Sequence, residues 1–192
     1  MSHNAHISER NTFGFWVYLM SDCVLFASLF ATYAVLQGAT AGGVSAYELA
    51  NLPYVFIETL LLLTSSFTIG LSLLAAHAHK KNLALGLLGL TLVLGLGFLG
   101  MEVHEFATLV REGSGPNTSA FLSAFFALIG THGLHVFLGS IWMAVLIHRA
   151  WRNGWSEGNV RKLTLLSLFW HFLDIIWIFI FTFVYLFGAL AL

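Results

Sequence analysis

Charge is what this chain has least of. Only 9% of its 192 residues are Asp, Glu, Lys or Arg, against roughly 25% in a soluble domain. So few charges cannot cover a water-facing surface of this size, which excludes an ordinary soluble globular protein. Cysteine is nearly missing: Cys23 stands alone. That excludes an intrachain disulfide, a paired-thiolate copper centre and an iron–sulfur cluster. No glycine-rich loop runs into Lys-Ser or Lys-Thr, so a P-loop phosphate cradle is absent. The formal net charge of −1 leaves no basic face for nucleic acid. What remains is apolar: 58% of residues are hydrophobic and the mean hydropathy is +0.86. The solvent for most of this chain is lipid.

A bilayer core takes about 20 apolar residues per helix, and the chain supplies five such runs. They are expected over about 13–36, 53–76, 83–109, 119–147 and 163–190. The first is too long for the core of a signal peptide and reads as a retained anchor after a short polar start. Between them lie a Gly/Ala-rich connector over 37–52, a short basic connector over 77–82, a turn-rich loop over 111–118 and a charged loop over 148–162. Pro53 suits the first turn of the second helix. No long linker divides the chain. The expectation is one all-α membrane domain over 1–192, a bundle of five transmembrane helices. Arg10, Lys80, Lys81, Arg149, Arg152, Arg161 and Lys162 fall on one side of that arrangement and only Arg111 on the other. The positive-inside rule then puts the N-terminus in the cytoplasm and the C-terminus in the periplasm, in a bacterial inner membrane.

An ionisable side chain near the bilayer centre costs roughly 2.5–3.5 kcal/mol on insertion scales, so the positions of these groups are informative. Asp22 lies about 14 Å into the first helix at about 1.5 Å per residue and shares a face with Tyr18 and Tyr33. It reads either as a proton-exchanging carboxylate or as a hydrogen-bonding group that holds a neighbouring helix. On the second helix Glu58, Ser65 and Ser72 recur every seven residues and read as a helix-contact stripe, with Glu58 near the outer end. Glu102 and Glu105 close the third helix near the same interface, within reach of water. Gly86, Gly89, Gly97 and Gly100 occupy one arc of that helix, an expected surface for close helix packing. The fourth helix carries His132 and His135 one turn apart. The fifth carries a stripe of Thr164, Ser167, His171, Asp174, Thr182 and Tyr185. His132, His135, His171 and Asp174 are expected to join these two helices by hydrogen bonds. A metal site is the lesser reading, since the Glu-x-x-His pattern of di-iron bundles is absent.

These same residues carry a resemblance. Gly130-Thr131-His132-Gly133-Leu134-His135-Val136 resembles the Gly-x-His-Gly-x-His-Val motif of subunit III of haem–copper respiratory oxidases. Trp170-His171-Phe172-Leu173-Asp174-Ile175-Ile176-Trp177 resembles that family's Trp-His-Phe-x-Asp-x-x-Trp motif. Leu19-Met20-Ser21-Asp22-Cys23-Val24-Leu25-Phe26 is similar to the segment with its buried, carbodiimide-reactive carboxylate, usually Glu, where Asp22 has a shorter reach. His104-Glu105-Phe106 is similar to the family's Glu-Tyr pair, with Phe in place of Tyr. The likeness covers nearly the whole chain. Seven-helix members match in their last five helices, and the five-helix length resembles the bacterial cytochrome o (bo-type) ubiquinol oxidases.

The resemblance implies an accessory subunit with no catalytic residue, metal or cofactor of its own. Haem and copper are then expected in subunit I, with subunit II, further small subunits and membrane phospholipids as other partners. The complex would oxidise ubiquinol, reduce dioxygen to water and pump protons in aerobic respiration. The proton-exchange candidate is Asp22. The alternatives are subunit III of a cytochrome c oxidase and, from a different class, an independent proton-coupled carrier using Asp22, Glu58 and Asp174. The topology is directly testable. Reporter fusions after Gly42 and Gly115 should read periplasmic, and fusions near Asn82 and Asn153 cytoplasmic. A cytoplasmic signal at Gly115 would break the five-span arrangement.

Overall fold

The computed structural model describes the backbone of residues 2–49 and 51–190, and the side chains of 12–47, 49 and 51–190. Met1, Ala191 and Leu192, the ends of the expected 1–192 domain, lie outside the described residues, as does the Arg10 side chain. Secondary structure among the described residues is helical throughout. α1 spans Ser2–Leu36, α2 Ala46–Leu49, α3 Leu52–His77, α4 Lys81–Arg111, α5 Ala120–Asn153 and α6 Glu157–Ile180. α6 continues through a π-helical turn, Phe181–Leu186, into α7, Phe187–Leu190. Five helices are long and apolar enough to cross a membrane: Thr12–Leu36, Leu52–His77, Lys81–Arg111, Ala120–Asn153 and Glu157–Leu190.

The helices overrun the apolar runs because caps, and not charges, stop them. The polar residues from Ser2 onward are already helical, although the apolar run begins only at Phe13. α5 passes through His148, Arg149 and Arg152 and stops where Gly154 takes φ 69°. α6 restarts at Glu157, with the Ser156 side chain accepting from the Asn159 amide at 3.4 Å. The charged loop expected over 148–162 therefore shrinks to three residues. The expected 37–52 connector holds the single turn of α2, which packs against α7 and the π turn. Gly188 permits this approach, since a Cβ there would sit 3.0 Å from the Ala46 Cβ. The α3–α4 hairpin closes through His79 at φ 57°, with the Lys80 amide donating to the Ala75 carbonyl at 3.0 Å.

α3, α4, α5 and α6 form a closed ring in which each helix packs on the next and α6 returns to α3. α1 lies outside this ring, on α5 and to a lesser extent on α6. The buried line of α4 is Ala84, Leu88, Thr91, Gly95, Phe98 and Glu102, in steps of four and three, the helical spacing of one face. The glycine arc singled out in the sequence is on the opposite face. Gly86, Gly89 and Gly100 have no atom within 4 Å of a built Cβ, and Gly97 meets only Leu61, at 3.8 Å. The close-packing expectation is therefore corrected to Gly95, a half-turn away.

Trp170 of α6 explains why Gly95 is required. A Cβ at Gly95 would lie 2.8 Å from the indole, and one at Gly139 of α5 would lie 3.1 Å from it. The indole N–H donates to Ser65 of α3 at 2.9 Å. One side chain thus touches the other three helices of the ring. Seven residues on, Trp177 repeats the arrangement. Its N–H donates to Thr59 of α3 at 3.0 Å, and its ring meets Phe98 of α4 edge-on at 4.6 Å and His132 of α5 at 5.3 Å. Ser72 donates to the Ala84 carbonyl at 2.8 Å and Thr68 bonds Thr91 at 2.8 Å, fastening α3 to α4.

Gly95→Ala is expected to destabilise the bundle by about 1–3 kcal/mol, because the indole is confined on both sides and cannot yield. Gly86→Ala should be neutral or stabilising by up to about 1 kcal/mol, since it restricts only the unfolded chain. Thermal unfolding midpoints of the two variants in one detergent check the contrast, and equal midpoints would refute it.

Candidate functional site

Asp22 is 7% exposed and turned into the seam between α1 and α5. Its Oδ2 lies 3.6 Å from Nε2 of His135. The other ring nitrogen, Nδ1, is 2.7 Å from the Thr131 carbonyl. A carbonyl only accepts, so Nδ1 carries the proton and donates. Nε2 and Oδ2 then face one another at 3.6 Å, a polar contact longer than a hydrogen bond, and Oδ2 has no hydrogen-bond partner. The Tyr18 hydroxyl lies beside the carboxylate on the same helix, as the shared face predicts. Phe26 packs on the His135 ring at 5.3 Å.

His132, one turn earlier on α5, is fully buried in a cage of Phe26, Phe98 and Trp177, with ring centroids 6.4, 5.8 and 5.3 Å away. Neither of its nitrogens has a hydrogen-bond partner. Glu58 and Glu102, expected near water at the outer interface, are instead sealed inside the ring at 0% and 2% exposure. Their four carboxylate oxygens are also unpartnered. Position along a helix gives depth; burial here comes from the neighbouring helices that close over both groups. Glu105 is half-buried and accepts a hydrogen bond from Tyr185 at 3.1 Å. The π turn of the last span carries that tyrosine.

The expected cluster of His132, His135, His171 and Asp174 is not assembled as one unit. Among the described residues no hydrogen bond joins either histidine of α5 to His171 or Asp174. His135 turns to α1. His171 bonds Ser66 of α3 through Nδ1 at 2.6 Å, and Ser66 also lies beside Asp174. Helical spacing places these groups on a face, but α6 packs against α3 as well as α5, and spacing does not say which neighbour lies opposite. Ser66 and Thr59 escaped the sequence reading, and Gly133 and Phe26 entered it only as members of motifs, with no role of their own. The seven-residue recurrence of Trp170 and Trp177 against hydroxyl-bearing α3 was the available signal for part of it. Among the described residues no three of His, Cys, Asp and Glu converge to hold a metal ion.

Two open pockets border these groups. One, of about 850 Å³, is lined by Trp16, Leu73, His77, Trp155, Arg161 and His171, at the end of the bundle with the basic connectors. The other, of about 600 Å³ at the opposite end, is lined by Asn51, Tyr54, His104, Glu105, Glu112 and Ser114.

A family described as cytochrome c oxidase subunit III matches residues 1–189. The chain is 57% identical to cytochrome bo(3) ubiquinol oxidase subunit 3 of Pseudomonas aeruginosa, over 97% of this chain and 90% of that one. It is 52% identical to the protein of the same name from Pseudomonas putida, over 95% and 88%. It is 48% identical to cytochrome c oxidase subunit 3 of Bacillus sp. (strain PS3), over 98% and 91%. With the histidine, tryptophan and carboxylate positions embedded in a match of this extent, the chain belongs to the cytochrome c oxidase subunit III family.

Proposed function

We propose that this chain is the non-redox accessory subunit III of a proton-translocating terminal ubiquinol oxidase, a multi-pass protein of a bacterial inner membrane. One observation carries the reading: 57% identity across 97% of the chain to a relative named as a ubiquinol oxidase subunit 3. Identities of 57% and 52% to ubiquinol oxidase relatives exceed the 48% to a cytochrome c oxidase relative, which favours quinol as the donor. Haem and copper belong to the partner subunit I in this reading, with subunit II alongside. The N-terminus is cytoplasmic and the C-terminus periplasmic, on the Lys/Arg count. The whole chain acts as one domain.

Three features fit an accessory role. Phe13, Val17, Met20, Val24 and Val35 of α1 are exposed, and an apolar face in a bilayer is satisfied by lipid or by a neighbouring subunit. The basic-end pocket sets His77, His79 and Arg161 near the apolar walls of Trp16, Leu73 and Leu168. That pairing suits a phospholipid, with its phosphate at the rim and its chains along the wall. The approach of Asp22 to His135, 3.6 Å apart at mid-depth, sets two groups capable of proton exchange side by side and supports a part in proton uptake.

Purification in mild detergent through a tag on this chain tests the assembly. Haem absorption arriving with a large partner is expected, and a colourless chain alone would overturn the reading. The Asp22 role has its own test. A hydrophobic carbodiimide should label Asp22 in preference to Glu58 and Glu102, because those two are sealed within the ring whereas Asp22 lies at a helix seam. Asp22→Asn should abolish the label and leave the initial rate of quinol oxidation unchanged, since no electron passes through this subunit. It should reduce the number of turnovers before activity declines. Labelling that persists in the variant, or immediate loss of oxidase activity in a fully assembled complex, would refute this.

A further inference from the structure

The ring interior contains six polar atoms that nothing in the fold satisfies: both carboxylate oxygens of Glu58, both of Glu102 and both ring nitrogens of His132. All three side chains are at least nine-tenths buried. Glu58 and Glu102 come from α3 and α4 and lie within electrostatic range of one another, whereas His132 of α5 is enclosed by Phe26, Phe98 and Trp177. Buried polar groups in native proteins are hydrogen-bonded, to protein or to ordered water. Among the described residues no Lys or Arg pairs with either carboxylate. The fold makes room for Glu102: its carboxyl group lies against Gly133, where a Cβ would sit 2.8 Å from Cδ.

We propose that Glu58 and Glu102 form a second proton-binding site, holding exchangeable protons and ordered water, with Glu105 and Tyr185 connecting it to the pocket at the non-basic end of the bundle. The site is distinct from the Asp22–His135 pair and does not depend on the oxidase reading. Its ligand is water and the proton. Uncompensated carboxylates cannot all stay charged in a medium without counter-ions, and no three ligands here converge on a metal. A proton is the smallest species that neutralises them, and water bridges the remaining lone pairs.

The route has a visible entrance. Glu105 lines the pocket of about 600 Å³ together with Tyr54, His104 and Glu112. Tyr185 bonds Glu105 at 3.1 Å. Glu58, Glu102 and Glu105 lie within electrostatic range of one another and of Tyr185. The facing ionisable groups are Tyr54 and Glu58 from α3, Glu102 and Glu105 from α4, His132 from α5 and Tyr185 from the π turn. His135, one turn from His132, connects the surroundings to Asp22 of α1. Single-turn π segments recur at functional sites, and this one carries the buried Tyr185, which bonds Glu105 of the pocket wall. Transfer makes and breaks only O–H and N–H bonds, with water of the pocket as source and sink.

Infrared difference spectra of the purified native complex between acid and alkaline buffers, in H2O and in D2O, test the proposal. The expected signal is a carboxylic-acid carbonyl band that titrates and shifts on deuteration. Glu58→Gln and Glu102→Gln should each remove part of it, and Asp22→Asn should leave that part intact. Should the two interior variants fail to assemble, Glu105→Gln and Tyr185→Phe on the route are expected to keep the band but slow its deuterium shift severalfold. A native spectrum without such a band would overturn the proposal, as would a band untouched by Glu58→Gln and Glu102→Gln. Carboxylate bands that respond to exchanging Na⁺ or K⁺ for choline, instead of to pH, would overturn it in favour of a cation site. An unchanged deuteration rate in both of these route variants would overturn the route.

Discussion

Everything in the ring depends on Trp170 seated between two glycines. In lipid the hydrophobic effect does not drive helices together, so packing and interhelical hydrogen bonds must. Each such bond averages only about 0.6 kcal/mol, too little to choose one arrangement of long helices by itself. The indole combines both terms. It fills a slot that Gly95 and Gly139 leave open, and it donates to Ser65 from within that slot. Trp177 repeats the combination with Thr59 and Phe98. Two contacts seven residues apart on one helix specify a rotation and a height for α6 against three neighbours. The hydroxyl line of α3 then has a defined partner, and the interior behind it becomes a closed space.

That closed space explains how acidic side chains persist within a lipid-facing bundle. Glu58 and Glu102 do not face lipid, and their outward surroundings are helix. His132 is shut off by Phe26, Phe98 and Trp177, whereas His135 one turn further looks out to Asp22. Phe26 touches both imidazoles. A single aromatic from α1 therefore stands at the boundary between the α1–α5 seam and the ring interior.

The spans themselves were legible because roughly 20-residue apolar runs have few other readings. Their ends were not, because Gly154 and Ser156 set the boundary between α5 and α6 while the charges around them continue as helix. The periodic stripes were legible as faces. Glu58, Ser65 and Ser72 do share the buried face of α3. Which helix lies opposite a face is a pairwise property, and a one-helix pattern does not contain it. Spacing alone therefore pairs His171 with α5, whereas its bond is to α3. The glycine arc failed for a related reason. Small residues permit close approach but do not cause it, and only Gly95, outside the arc, has a rigid partner pressing on it.

Asp22 meets His135 at the seam between α1 and α5, and the proposed proton exchange rests on the same contact as the helix-contact reading. α1 stands outside the ring and holds to it mainly through rings: Phe15 on Trp142, Tyr18 on Phe169, Tyr33 on Phe121. Aromatic contacts of this kind are permissive about sliding along a helix axis. The Asp22–His135 pair is not, because a polar contact of 3.6 Å in a buried seam weakens as its partners slide apart. The group that favours one register of α1 is thus also the group proposed to exchange a proton. A neutral amide in its place could preserve the register by hydrogen bonding to Nε2, yet it could not take up or release a proton there. The structural role and the proposed proton-exchange role can therefore be separated at this position.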